Sequence, residues 1–219
     1  MNKYSEQENI HISIMKEIVN NFYDLPIVLK GGTSLLLNFN LDRFSEDLDF
    51  DANKKLNLIS RLKAVLNQIT DRYSYKIVKD TDTVQRIRVN YIKNHLERSL
   101  KIEISFRNSF AESNTITKTD DDNLKVKTYR IEHLIEQKIS ALIGRTKARD
   151  LYDVNFLLNN YLADFSTDAK QKLKTEILSD IDAIREEYRV LFQDDYLFSE
   201  DALNEIISNL KHKKKALSV

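Results

Sequence analysis

The sequence predicts a mixed α/β fold (α+β) up to about residue 125, followed by an all-helical half over 126–219. Three observations lead there. Only three Gly (31, 32, 144) and one Pro (26) occur in 219 residues, which leaves few tight turns and favours long helices over an all-β sandwich. Short apolar runs with strand character recur between 26 and 106. Beyond Tyr129 the apolar spacing is helical throughout.

The elements follow in order. Ile10, Ile14, Ile18 and Phe22 recur at every fourth residue, so about 4–23 is expected as an amphipathic helix. Pro26 to Leu29 reads as a short buried strand ending at Gly31-Gly32, and Thr33 to Phe39, apolar and free of Pro, as a helix opened by the glycines. Leu48 and Phe50 alternate with Asp47, Asp49 and Asp51, giving one apolar and one acidic face. Helical spacing returns at Leu58, Leu62, Val65, Leu66 and Ile69. Strand-like runs follow at Tyr73 to Val78, Val84 to Ile92 and Leu100 to Phe106, the last with Leu100, Ile102, Ile104 and Phe106 on one side. The polar stretch Ser113–Asp122 reads as a loop between the halves. Helices are then expected around Leu134–Leu142 and Tyr152–Leu157. A long stripe follows from Leu173 through Ile177, Ile181, Ile184 and Tyr188 to Leu191, and a last helix carries Leu203, Ile206, Ile207 and Leu210.

Composition excludes several classes. Thirty-four Lys plus Arg balance 34 Asp plus Glu, so the chain is not a globally basic nucleic-acid binder, although a local basic patch remains open. With no Cys there is no disulfide framework, thiolate metal site or Cys nucleophile. Four scattered His (11, 95, 133, 212) do not suggest a zinc site. No apolar run approaches the roughly 20 residues of a membrane span. The first residues lack the basic-then-apolar order of a signal peptide, so no membrane is expected and the expected compartment is cytoplasmic.

The chemistry centres on acidic pairs. Asp-x-Asp occurs five times, at 47/49, 49/51, 80/82, 120/122 and 180/182, and the pattern alone says little. Asp180 and Asp182 are expected inside a helix, where side chains two apart diverge. Only Asp47, Asp49 and Asp51 sit where period two points carboxylates the same way, and such neighbours repel unless solvent or a cation neutralises them. A hard cation fits: Mg²⁺ takes one or two carboxylates and completes its shell with phosphate oxygens and water. Upstream, Gly31-Gly32-Thr33 joins a strand to a helix, where bare N–H groups can meet a phosphate. Downstream, Lys101-Ile102-Glu103 offers another carboxylate beside a cation; alternatively Glu103 is an exposed edge-strand residue.

Lys30-Gly31-Gly32-Thr33-Ser34-Leu35 followed by Arg43-Phe44-Ser45-Glu46-Asp47-Leu48-Asp49-Phe50 resembles the first motif of the AbiEii/AbiGii toxin family, within the polymerase-β-like nucleotidyltransferase superfamily. Lys101-Ile102-Glu103 is similar to its second motif, with Glu where Asp is commoner. The run Lys138 … Arg145-Thr146-Lys147-Ala148-Arg149-Asp150-Leu151-Tyr152-Asp153 resembles the third. The resemblance spans about 27–160. It implies a nucleotidyltransferase-like sheet domain at 1–125 and an enzyme moving an NMP from an NTP to an acceptor hydroxyl. Asp47 and Asp49 would bridge two Mg²⁺ ions, and Glu103 would complete the metal that activates the acceptor. Gly31, Gly32 and Thr33 would hold phosphates, and Lys138, Arg145, Arg149, Asp150 and Asp153 would contact the nucleotide, Lys138 as a catalytic cation. An RNA acceptor, with the tRNA 3′ end as one candidate, and a cognate antitoxin are implied with it. Transfer onto a protein hydroxyl, or a degenerate nucleotide- or RNA-binding module, are the alternatives.

The residues have their own reading. Lys138 shares a face with Leu134, Ala141 and Leu142, so its stem is expected buried and its ammonium directed into a cleft. Arg149 and Asp153 are four apart and can fix each other's orientation; alternatively this is a surface salt-bridge ladder. Arg86, Arg88 and Asn90 form either a nucleic-acid cradle or a solvated sheet face. Lys211–Lys215 is either a phosphate-binding patch or a frayed tail. Arg43 and Ser45 either touch substrate or organise their loop.

Overall fold

The computed structural model describes residues 3–107, 110–119 and 124–216, with side chains as far as Lys214. The Asp120/Asp122 pair lies outside them, as does the side chain of Lys215. The chain divides into two compact units, one ending at Arg130 and the other beginning at Ile131.

The first unit opens with α1 (Glu6–Phe22), whose start is fixed by a reciprocal cap: Ser5 accepts from the Glu8 amide and Glu8 reaches back to the Ser5 amide. Then come β1 (Ile27–Lys30), α2 (Gly31–Phe39), β2 (Leu48–Ala52), α3 (Ile59–Ile69), β3 (Arg72–Asp80), β4 (Val84–Lys93) and β5 (Leu96–Ser105). Asn94 and His95, both at positive φ, form the tight turn between β4 and β5. A short 3₁₀ turn (Glu112–Asn114), β6 (Thr115–Thr119) and β7 (Lys125–Tyr129) complete the unit. The polar stretch expected as a loop therefore contains a strand. Its β-branched residues pair with β7 at the sheet edge, where a strand can stay polar.

The seven strands form one mixed sheet ordered β3-β4-β5-β2-β1-β7-β6. β2 lies in its interior, antiparallel to β1 and parallel to β5. Ile14, Ile18 and Phe22 of α1 and Leu62 and Leu66 of α3 pack with Leu48, Phe50, Ile87, Val89, Ile102 and Ile104 in one core. That burial uses the apolar face of each alternating strand, so the acidic face of β2 points away from this core. β7 is tied in by Thr128, which donates to the Leu29 carbonyl (3.1 Å) and takes a hydrogen bond from Ser34 of α2.

The second unit is helical, as the spacing predicts: α4 (Ile131–Gly144), α5 (Ala148–Asn160), α6 (Thr167–Lys172), α7 (Ile181–Asp194) and α8 (Glu200–Ala216). The stripe from Leu173 is not one helix. A π-turn occupies Leu173–Ile177, and Asp180 then caps α7 by accepting from the Ala183 amide at 3.0 Å. Asp180 is thus a cap and not a residue inside the helix, while Asp182 pairs with Lys211 at 2.7 Å. The basic run at 211–215 is part of α8 and not a frayed tail. No helix among the described residues is long and apolar enough to cross a membrane.

One buried polar network anchors the loop before β2. His11, fully buried on α1, lies 2.8 Å from the Glu46 carbonyl through Nε2 and 2.7 Å from the Tyr91 hydroxyl through Nδ1. A carbonyl only accepts, so Nε2 carries the proton and Nδ1 accepts from Tyr91. Burial, aided by the nearby Arg98 charge, pushes His11 below its ordinary 6.5, and burial raises Tyr91 to about 12. The sign follows: the unfolded chain takes up a proton near 6.5 that the folded chain refuses. The stability from neutral His11 is complete above 6.5 and is lost as pH falls through the lowered folded value. Thermal melts across this range should show stability falling on acidification below 6.5. His11→Gln, less stable throughout, should show a shallower slope there.

Candidate active site

Strand register assembles the site. Lys30 on β1, Asp49 on β2, Glu103 on β5 and Arg86 on β4 are consecutive register partners, so the four share one face. Neighbouring strands lie about 5 Å apart, which sets Asp49 and Glu103 side by side. β5 is an interior strand, so Glu103 is not an edge residue. Asp47 stands just before β2, opposite Lys101.

Three of the four carboxylates here have a cation. Lys101 Nζ is 2.7 Å from Asp47 Oδ2, and Arg86 places Nη2 2.6 Å and Nε 2.7 Å from Glu103 Oε2. Lys30 Nζ lies 2.5 Å from Asp51 Oδ1, whose other oxygen accepts from Tyr129 at 2.9 Å. Burial next to that carboxylate drives the Tyr129 phenol far above its usual range. Asp51 is therefore an enclosed structural anion, although sequence spacing makes it equivalent to Asp47. Asp49 is the unsatisfied member. Burial raises it, Asp47 and Glu103 raise it further, and Lys101 and Lys30 only partly offset them. Lys101 responds in kind: burial works against its charge, but its bond to Asp47 and the charges of Asp49 and Glu103 push it above its ordinary value.

The glycine pair abuts this row. Gly31 has φ +74°, a left-handed conformation that favours glycine, and a Cβ there would meet Asp49 Oδ2 at 3.4 Å. At Gly32 a Cβ would fall 2.8 Å from Arg43 Nη2 and 2.9 Å from Ser45 Oγ, so this glycine makes room for the protein's own side chains. Arg43 and Ser45 are buried, and Arg43 Nη1 donates to the Phe44 carbonyl at 2.9 Å; both organise the loop. The buried Thr33 hydroxyl donates to the Asp47 carbonyl and lies 2.9 Å from Ser45 Oγ. Its side chain thus braces the backbone at Asp47. Lys30 precedes α2 without a side-chain cap on the helix, so the first-turn N–H groups receive no capping oxygen from it.

The third motif forms its own cluster in the second unit. Lys138, 8% exposed, holds Nζ 2.6 Å from Asp153 Oδ2 and 3.6 Å from Asp150 Oδ1. Arg145 grips Asp150 with two hydrogen bonds (2.8 and 3.1 Å), and Arg149 donates from Nε to Asp195 at 3.0 Å. The Lys138 stem is buried as its spacing predicts, but its ammonium meets two buried carboxylates of α5 and not open cleft. The pairing of α4 with α5 supplies that partner, which helical spacing within one motif does not offer.

A divalent cation suits the donors in the first unit. Asp47, Asp49 and Glu103 are hard oxygen ligands, and burial beside Asp47 and Glu103 leaves the ionised form of Asp49 penalised. Among the described residues no three such side chains stand as a ready metal cage, and Lys101 and Arg86 engage two of these three carboxylates. His11 and Tyr129 are the contributors that sequence reading misses, together with the pairing of Lys30 with Asp51 and of Arg86 with Glu103. His11 carried a signal, because it extends the buried stripe of Met15, Ile18 and Phe22.

A glycine turn opening a helix against paired carboxylates on interior strands, followed by a helical unit with a Lys/Arg/Asp cluster, defines a nucleotidyltransferase. The family model described as nucleotidyl transferase AbiEii toxin, type IV TA system, matches residues 13–214, and the chain belongs to that family. A Helicobacter pylori protein described as a nucleotidyltransferase candidate is 36% identical, with TM-score 0.83 over 98% of this chain and 97% of its own. JHP933 from Helicobacter pylori is also 36% identical, with TM-score 0.82 over 97% and 94%. MenT4, a nucleotidyltransferase toxin from Mycobacterium tuberculosis, shares the fold at 16% identity and TM-score 0.54, over 97% of this chain and 84% of its own. A search of curated proteins gave no match.

Two stability changes should follow. Because Asp49 is raised, its ionised form is penalised in the folded state, and the penalty is complete above its folded value. Asp49→Asn should therefore melt higher than the parent at neutral pH in EDTA, and the gain should vanish as pH falls into the ordinary carboxylate range. Lys138→Ala leaves Asp153 buried without its ammonium, which should cost about 3 kcal/mol in denaturant titrations.

Proposed function

We propose that this enzyme transfers an NMP from an NTP to an RNA hydroxyl, with the tRNA 3′ end as the favoured acceptor, in the presence of two Mg²⁺ ions. The observation that carries the reading is the seating of Asp49 beside Glu103 on parallel strands, with the Gly31 turn against Asp49. Asp47, Asp49 and Glu103 would hold the metal, and when bound it supplies the charge neutralisation and alignment that phosphoryl transfer needs. In the overall reaction the acceptor oxygen bonds to the α-phosphorus, the bond to the β-phosphate oxygen breaks, and pyrophosphate leaves.

The chain's own groups prepare that event. Amides of Gly31, Gly32 and Thr33 sit at the partly positive end of α2 and suit phosphate oxygens. Thr33 and His11 fix the backbone around Glu46 and Asp47, so the acidic group is held before substrate arrives. Lys138, Arg145, Arg149, Asp150 and Asp153 take the nucleotide-contacting role, with Lys138 holding Asp150 and Asp153 in place and the more exposed Arg145 offering positive charge outward. As a toxin of the type IV class, the chain is expected to have an antitoxin counterpart and to act in the cytoplasm.

Lysate incubated with enzyme, Mg²⁺ and α-labelled NTPs provides the test. Label should enter material destroyed by RNase, and Asp49→Asn should lower its incorporation by orders of magnitude, each ~1.4 kcal/mol of barrier being tenfold. Mg²⁺ should raise the parent's melting temperature more than that of Asp49→Asn. Label removed by protease would transfer the activity to protein hydroxyls. Equal labelling by parent and variant would end the assignment of this carboxylate to catalysis.

A further inference from the structure

Arg86, Arg88 and Asn90 alternate along β4 with the buried Ile87, Val89 and Tyr91, so the strand turns one face to the core and a polar face to water. The register extends that polar face into rows across three strands: Lys79–Arg86–Glu103, Lys76–Arg88–Lys101, Ser74–Asn90–Ser99 and Arg72–Ile92–Glu97. Strict alternation along β3 would set Lys76 and Lys79 on opposite faces. The bulge between Ile77 and Lys79 brings Lys79 back opposite Arg86.

The rows carry Arg72, Lys76, Lys79, Arg86, Arg88 and Lys101 against only Glu97 and Glu103, in a chain whose overall charge is balanced. Arg86 is engaged by Glu103 and Lys101 by Asp47. Arg72, Lys76, Lys79 and Arg88 are exposed and enter no salt bridge among the described residues. One row continues onto β2, where Glu103 is followed by Asp49, and another ends on the residue just before it, Asp47, which pairs with Lys101.

We infer that the solvent face of β3, β4 and β5 is the track on which the phosphate backbone of a single-stranded RNA acceptor lies, leading its reacting end to Asp47 and Asp49. This rests on the RNA-acceptor reading above. The chemistry of the face favours RNA over an acidic protein. Phosphate contacts use Lys and Arg with Ser and Asn donors, all present here. A protein interface is built on desolvated apolar and aromatic anchors, and these rows contain only Ile92, at the far end.

The test uses the full chain, a short fluorescein-labelled single-stranded RNA and bulk deacylated tRNA, with affinity read by anisotropy across a salt series. Lys76→Ala/Lys79→Ala/Arg88→Ala should weaken RNA binding roughly tenfold or more and make the log–log salt slope shallower by about 2, for three lost phosphate contacts. Its NTP affinity and melting temperature should match the parent's. Lys54→Ala/Lys63→Ala, which removes exposed charge elsewhere on the first unit, should leave the slope unchanged. If the triple variant does not fold, Arg88→Gln alone should reduce the slope by about 0.7. An unchanged slope in these variants, with RNA still bound, overturns the track while the RNA-acceptor reading stands. Equal loss in the control pair also overturns it. A parent that binds no RNA and labels protein overturns both readings.

Discussion

Crowding of negative charge on an interior strand is the constraint around which this molecule is arranged. Asp47, Asp49 and Asp51 stand on or beside β2, with Glu103 next to Asp49 on β5, in partly buried surroundings where like charges are poorly screened. The protein compensates with Lys30 for Asp51, Lys101 for Asp47 and Arg86 for Glu103. Asp49 is left raised. By count, four carboxylates face three protein cations, which leaves one negative charge unmatched.

Much of the fold is legible in the sequence. The period of the apolar residues marks α1, β2, β4 and β5 because each buries one face against the same core. β6 escapes because an edge strand has no apolar stripe to show. The break before α7 escapes because Ile177 and Ile181 keep helical spacing through a π-turn and a cap. Local pattern reports which face is buried; it does not report where the backbone changes hydrogen-bonding partner.

The site is legible only as far as its residue types. Asp47, Asp49 and Asp51 are interchangeable in a period-two pattern, yet one faces a half-buried lysine, one is left undercompensated, and one is sealed by Lys30 and Tyr129. What separates them is strand order, a long-range property that places β1 and β7 beyond one flank of β2 and β5 on the other. Thr33 is similar: its position after the glycines suggests a phosphate ligand, while its hydroxyl proves to brace Asp47 from within. The Lys138 ammonium likewise finds its carboxylates on the next helix, a contact that spacing along one helix cannot reveal.

The cation placement bears on how folding and catalysis are separated. If the acidic group relied on a metal for neutrality, folding would depend on the metal, as it does where a small domain is built around an ion. Here three protein cations carry that load, so the site is organised before any ion or nucleotide arrives. The arrangement costs little, since Lys101 and Arg86 are partly exposed and exchange partners more readily than a sealed pair. Lys30 and Asp51 are different: more enclosed and tied to Tyr129, they belong to the scaffold. The row across β1, β2, β5 and β4 thus grades from fixed to exchangeable charge. Its more exposed end, Lys101 and Arg86, adjoins the basic rows of β3 and β4.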